Sequence, residues 1–147
     1  MNKIVAFSAL SLLLSSSAMA QDQSTSGEQI TLPAACEEAA SKGGNMDMSQ
    51  STDAMQDMMA NMDDVQMANM KAMMAMHRAM MQAMTIKDPD LAFNCGMIPH
   101  HQGAIAMAEA ELKMGKDEES RKLAQTIIDA QNKEIAEMTA WVEKHAK

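Results

Sequence analysis

His77 is surrounded by sulfur. Met73 and Met74 precede it by four and three residues, and Met80 and Met81 follow it by three and four. On a helix all four are neighbours of the imidazole, and Met76 adds another thioether beside it. A thioether is a soft, neutral ligand and imidazole is borderline. Together they suit Cu(I), with Ag(I) and Cu(II) as secondary candidates, far better than Mg, Ca or Mn. Zinc sites normally use Cys, His and carboxylate, so a methionine-dominated set argues against zinc as the main cargo.

A second constellation lies further on, in Met97-Ile98-Pro99-His100-His101-Gln102-Gly103. Met97 stands three and four residues before the two histidines and can share a helix face with either. Met107 follows His100 by two helical turns, and Met114 follows by two more. Adjacent histidines on a helix point about 100° apart, so one is expected to face a bundle and the other solvent. Pro99 cannot bond back to the carbonyl of Cys95 and is expected to kink its helix. Gly103 permits close approach of a neighbouring helix. The bland reading is that methionines at helical spacing are core and a histidine among them is structural. Core alone does not explain why methionine displaces leucine, which has similar volume and better-defined rotamers. His145, near the end of the last helical segment, suits the negative end of a helix dipole and reads as structural.

Helices must position these groups. Pro33 to Lys42 reads as a short helix, with Pro33 in its first turn and Gly43-Gly44 ending it. A long helix is expected from about Asp53 to Met84, capped by Thr52 or Asp53, since no Gly or Pro interrupts it. Along it Met55, Met58, Met59, Met62, Val65, Met70, Met73, His77, Met80 and Met84 recur at the helical period and form one stripe. Asp88-Pro89 starts another helix that ends at Gly115. Asp117 caps a last one, with Leu123, Ile127, Ile135, Met138, Trp141 and Val142 on its buried side. Short connections between three long helices give an antiparallel up-and-down bundle, and no segment carries a strand signal.

Composition sets the bounds. The 147 residues include 20 methionines against two Phe, one Trp and no Tyr. Lys3, the apolar run Ile4 to Leu14 and Ala18-Met19-Ala20 read as a cleavable secretory signal. The run is too short to span a membrane as a stable helix. Residues 1–20 are therefore expected to be removed, 21–52 to be a flexible segment with one short helix, and 53–147 to be the helical metal-binding domain. The product belongs in the periplasm and carries no membrane span. The net charge of −8 makes nucleic acid an improbable partner, because phosphate binding needs clustered Lys and Arg. Cys36 and Cys95 form an even count in an oxidising compartment, which favours a disulfide. Free thiols that ligate copper are the competing reading.

Met97 to Ile105, followed by Met107-Ala108, closely resembles the signature of domain-of-unknown-function family 305. The likeness extends through Gly115-Lys116 and Arg121-Lys122-Leu123-Ala124 to Ile135-Ala136-Glu137-Met138 and Trp141. It covers about the last 60 residues, while the methionine helix is similar in character more than in order. Those exported proteins include the CopM-like copper-binding proteins. The resemblance implies a ferritin-like helical bundle, a role in periplasmic copper handling or tolerance, and Met97, His100, His101 and Met107 as ligand candidates. Family members often carry Asp where Ala106 stands here, so that carboxylate's part is missing.

The expected function is thus Cu(I) binding for buffering, trafficking or tolerance, on Met73, Met74, Met76, His77, Met80, Met81, Met97, His100, His101, Met107 and Met114. The expected partners are copper ions, another periplasmic copper-handling protein and a second copy of the chain. An enzyme is not expected. Ferritin-like carboxylate metalloenzymes need Glu-x-x-His pairs, and none of the four histidines has Glu three residues before it. The alternative is a Met-rich module that binds apolar peptides or scavenges oxidants, with no metal.

Overall fold

The computed structural model describes residues 30–44 and 59–146. The segment expected to be a secretory signal, the expected Thr52 or Asp53 cap, Met55 and Met58 lie outside the described residues. Four helices follow in order: α1 (Ala34–Ser41), α2 (Asp64–Ala83), α3 (Pro89–Met114) and α4 (Glu118–His145). No strand occurs among the described residues. The fold is an all-helical up-and-down bundle, compatible with the ferritin-like arrangement expected above.

Each long helix begins at an aspartate. The side chains of Asp63, Asp88 and Asp117 accept the backbone N–H of Gln66, Leu91 and Ser120 at 2.8, 2.9 and 2.8 Å. Each thereby satisfies one of the donors a helix start leaves unpaired. The expected uninterrupted helix from Asp53 to Met84 is corrected: it is broken at residues 61–63. Met59 and Ala60 are helical, but Asn61 turns and α2 restarts after Asp63. The Gln66 side chain accepts the Asp63 N–H at 3.0 Å, completing a capping box that stops a helix from running through. Pro89 occupies the first turn of α3, which continues as one helix through Pro99. At the other end of α3, the half-buried Arg121 donates to the carbonyls of Leu112 and Gly115, closing the turn into α4.

Helix α3 is the central element, packed extensively against both α2 and α4, which share little direct contact. That position explains why its buried residues point in several directions, from Cys95 and Ile98 to Pro99, Gly103, Ile105 and Ala108. The main core sits at one end, where Leu32, Cys36 and Ala40 meet Ala79, Ala83, Ile86, Cys95, Ile98 and Val142. Cys36 and Cys95 are joined as a disulfide, which leaves no free thiol among the described residues. The end of α1 runs against the α2–α3 turn: a Cβ on Gly43 would lie 1.7 Å from the Thr85 carbonyl oxygen, so only glycine fits. The Thr85 hydroxyl donates to the Ala40 carbonyl at 2.8 Å, tying the two segments.

On α4 the buried face carries Ala124 and Val142, with Ile127, Ile135, Met138 and Trp141 half-buried. Leu123 corrects the expectation, since it is 61 % exposed. Close helix packing selects the small Ala124, one residue and about 100° away.

Candidate metal centre

Helix α2 has two apolar faces. Ala72, Ala79 and Ala83 are buried, and Met76 lies against α3, where a Cβ on Gly103 would come 2.6 Å from its Sδ. A Cβ on Gly96 would come 3.9 Å from the Cβ of Ala83. From Met76 to Ala83 is seven residues forward in α2, and from Gly103 to Gly96 is seven back in α3. The two helices are therefore antiparallel and in register, and the alanine face is the one that packs on α3.

The turn of about 100° per residue then places the other side chains. His77, Met70, Met74 and Met81 lie on the side of α2 away from α3, while Met73, Met80 and Met84 lie on one flank. Exposure agrees: His77 is exposed, Met73 is 52 % and Met84 68 % exposed, and Met70, Met74, Met80 and Met81 are half-buried. The methionine stripe is thus a different face from the packing face.

The same register puts Met80 level with Pro99 and His100, and Met73 level with Ala106 and Met107. Following the right-handed turn of both helices, His100 and Met107 fall on the same side of the α2–α3 contact as Met73 and Met80. His100 and Met107 are both exposed. Met73, Met76, Met80, His100 and Met107 therefore line one groove between α2 and α3, with His77 around its outer edge. Met74 and Met81 flank His77 on the far side. Met114, the last residue of α3, lies 14 residues past His100. That is about 20 Å along the helix, too far to share an ion with His100.

The adjacent histidines divide their roles as their angular separation requires. His101 is 7 % exposed and faces α4. Its Nδ1–H donates to the Met97 carbonyl at 2.8 Å, and its Nε2 stands 2.6 Å from a Glu134 carboxylate oxygen. Both ring nitrogens are thus engaged, Nδ1 with the backbone of α3 itself and Nε2 with Glu134 of α4, which ties the two helices together. To ligate a metal, His101 would first have to give up Glu134. Met97 is half-buried and contributes its backbone to this arrangement. Further along α3, burial pushes the half-buried Glu109 carboxyl above its ordinary range.

The family model described as a domain of unknown function (DUF305) matches residues 13–142. The chain belongs to the DUF305 family. A search of curated proteins returned no match.

In this DUF305 chain, no group of three or more His, Cys, Asp or Glu side chains is assembled to hold a metal among the described residues. Sequence reasoning missed Glu134, because its partner is 33 residues away and only the α3–α4 register brings it near. It also read Gly103 without its counterpart, Met76. The small-residue spacing of Gly96 and Gly103 was the available signal for a close α2 neighbour.

Proposed function

We propose that this DUF305 protein binds Cu(I), and by the same chemistry Ag(I), outside the cytoplasm, serving copper buffering, trafficking or tolerance. In this reading the ion is cargo, held by His77 or His100 with the thioethers of Met73, Met76 and Met80 and released by ligand exchange. The chain acts as a binder without a catalytic step, in an exported form beginning near Gln21.

The observation that carries the reading is the division of labour on α2. Alanines and Met76 make its contact with α3, whereas Met73, His77 and Met84 are exposed. A methionine retained as core filler belongs on the packed face. Methionines grouped around an exposed histidine make a soft donor set that solvent-borne Cu(I) can reach.

The test is anaerobic competition for Cu(I) between the protein and a chromophoric chelator. The unaltered protein should compete, and His77→Ala with His100→Ala should weaken binding by about tenfold or more, the scale on which metal sites lose affinity when supporting groups go. His101→Gln should lower stability while largely preserving affinity, because its Nε2 is committed to Glu134 across the α3–α4 interface. No competition at any protein concentration would overturn the proposal.

A further inference from the structure

A helix apolar on two faces needs two partners. The inner face of α2 has α3. The outer face carries Met70, Met73, Met74, His77, Met80, Met81 and Met84, with no charged residue among them in a chain of net charge −8. These positions repeat at seven residues: Met70, His77 and Met84 share one heptad position, Met73 and Met80 a second, and Met74 and Met81 a third. That is the a, d and e pattern of a helix–helix seam.

The seam is also symmetric about its centre. Stepping three, four or seven residues from His77 in either direction reaches methionine every time. An antiparallel copy of α2, related by a two-fold axis through His77, would therefore set Met70 against the partner copy's equivalent of Met84, and Met73 and Met74 against the equivalents of Met81 and Met80. A two-fold interface must be self-complementary in this way. Antiparallel pairing also opposes the two helix dipoles.

We propose that the outer face of α2 is covered by α2 of a second copy, antiparallel about His77, and that Cu(I) bridges the two copies at that level. The proposal rests on the copper reading. Metal is needed because the seam is small. Twenty residues extend about 30 Å, and a strip about 10 Å wide is a few hundred Å² per chain, against about 800 Å² per partner in a stable interface. Two heptads also fall short of the three to four that sustain a coiled coil. A pair of imidazoles from two chains, with thioethers of both around them, is a soft donor set that one chain cannot assemble at His77 alone.

Sedimentation velocity under anaerobic conditions, with Cu(I) supplied from a chromophoric chelator, reads mass and copper uptake in the same sample. The expected result is uptake with a doubling of mass. Met70→Glu should weaken the dimer by about tenfold or more, since a carboxylate would be buried against an apolar surface. Met70 is outside the proposed ligand set, so this variant should still take up copper. Adding Met84→Lys should restore the dimer, because the introduced carboxylate of each chain then faces the introduced ammonium of the other. Copper uptake at monomer mass would overturn the dimer and leave the copper function standing. Failure of the double variant to recover would overturn the antiparallel register. Absence of uptake would overturn the functional reading and the bridge together.

Discussion

At Gly103 the contact between α2 and α3 has no room for even one more carbon. A Cβ there would meet the Sδ of Met76 at 2.6 Å, its Cβ at 2.9 Å and its Cγ at 3.0 Å. The Met76 thioether could swing aside, but its Cβ is fixed to the α2 backbone, so the helices must also shift. Overpacking of this kind costs about 1–3 kcal/mol, against about 1 kcal/mol gained from replacing glycine inside a helix. Gly103→Ala should therefore lower the urea-unfolding free energy by about 1 kcal/mol. Combining it with Met76→Ala should recover only the part due to the thioether arm, because alanine keeps the Cβ 2.9 Å from the new carbon. If Gly103→Ala alone proves stabilising, the close approach that sets the α2–α3 register is absent, and with it the grouping of Met73 and Met80 beside His100.

The elements owe their ends to short-range chemistry, and this was the most legible part of the sequence. Asp117 shows how it works. The backbone N–H of Ser120, helped by the Ser120 side chain and the Glu119 N–H, holds the Asp117 carboxyl below its ordinary range. A lowered native value means that the ionised cap stabilises the fold above the ordinary Asp range. That contribution is lost as pH falls through the lowered value. Asp117→Ala should lower Tm at neutral pH, with the gap to the unaltered protein closing under acid, whereas Asp117→Asn should keep the cap and lose the pH dependence. Equal Tm values for all three at pH 7 would deny the cap any energetic role. Asp88-Pro89 and Asp117 marked the starts of α3 and α4 directly. The break ahead of α2 was missed because no Gly or Pro marks it, and the reciprocal bonds of Asp63 and Gln66 are what restart the helix there. The faces were less legible than the ends. A hydrophobicity pattern weights Met73 and Leu123, but helices in close contact select the smaller Ala72 and Ala124, which are the buried residues. Least legible was the tie between His101 and Glu134, which depends on how two helices slide past each other.

For the molecule as a whole, the question is what closes the end of the bundle opposite the Met114–Asp117 turn. Helix α1 has eight residues, too few to be stable alone. It is held by Leu32, Cys36 and Ala40 in the core, by the hydroxyl of Thr85, and by a disulfide between residues 59 apart in sequence. Closing a loop of that length restricts the unfolded chain by about 4 kcal/mol in the chain-entropy account. Cys36 and Cys95 are both fully buried, so serine at these positions also places hydroxyls in the main core. Reduction and the Cys36→Ala/Cys95→Ala variant are therefore the cleaner perturbations. Each should lower Tm by about 15 °C, since 1 kcal/mol is worth about 4 °C in a folded unit of about 100–150 residues. The groove between α2 and α3 is set by the Met76–Gly103 contact, and Gly103 lies eight residues beyond Cys95. Below the lowered Tm, Cu(I) competition should therefore persist without the disulfide. A fall in stability with affinity intact would separate the two ends of the bundle into a clamped core and a metal-handling face. Loss of affinity in step with the disulfide would mean that α1 is needed to hold α2 in register on α3.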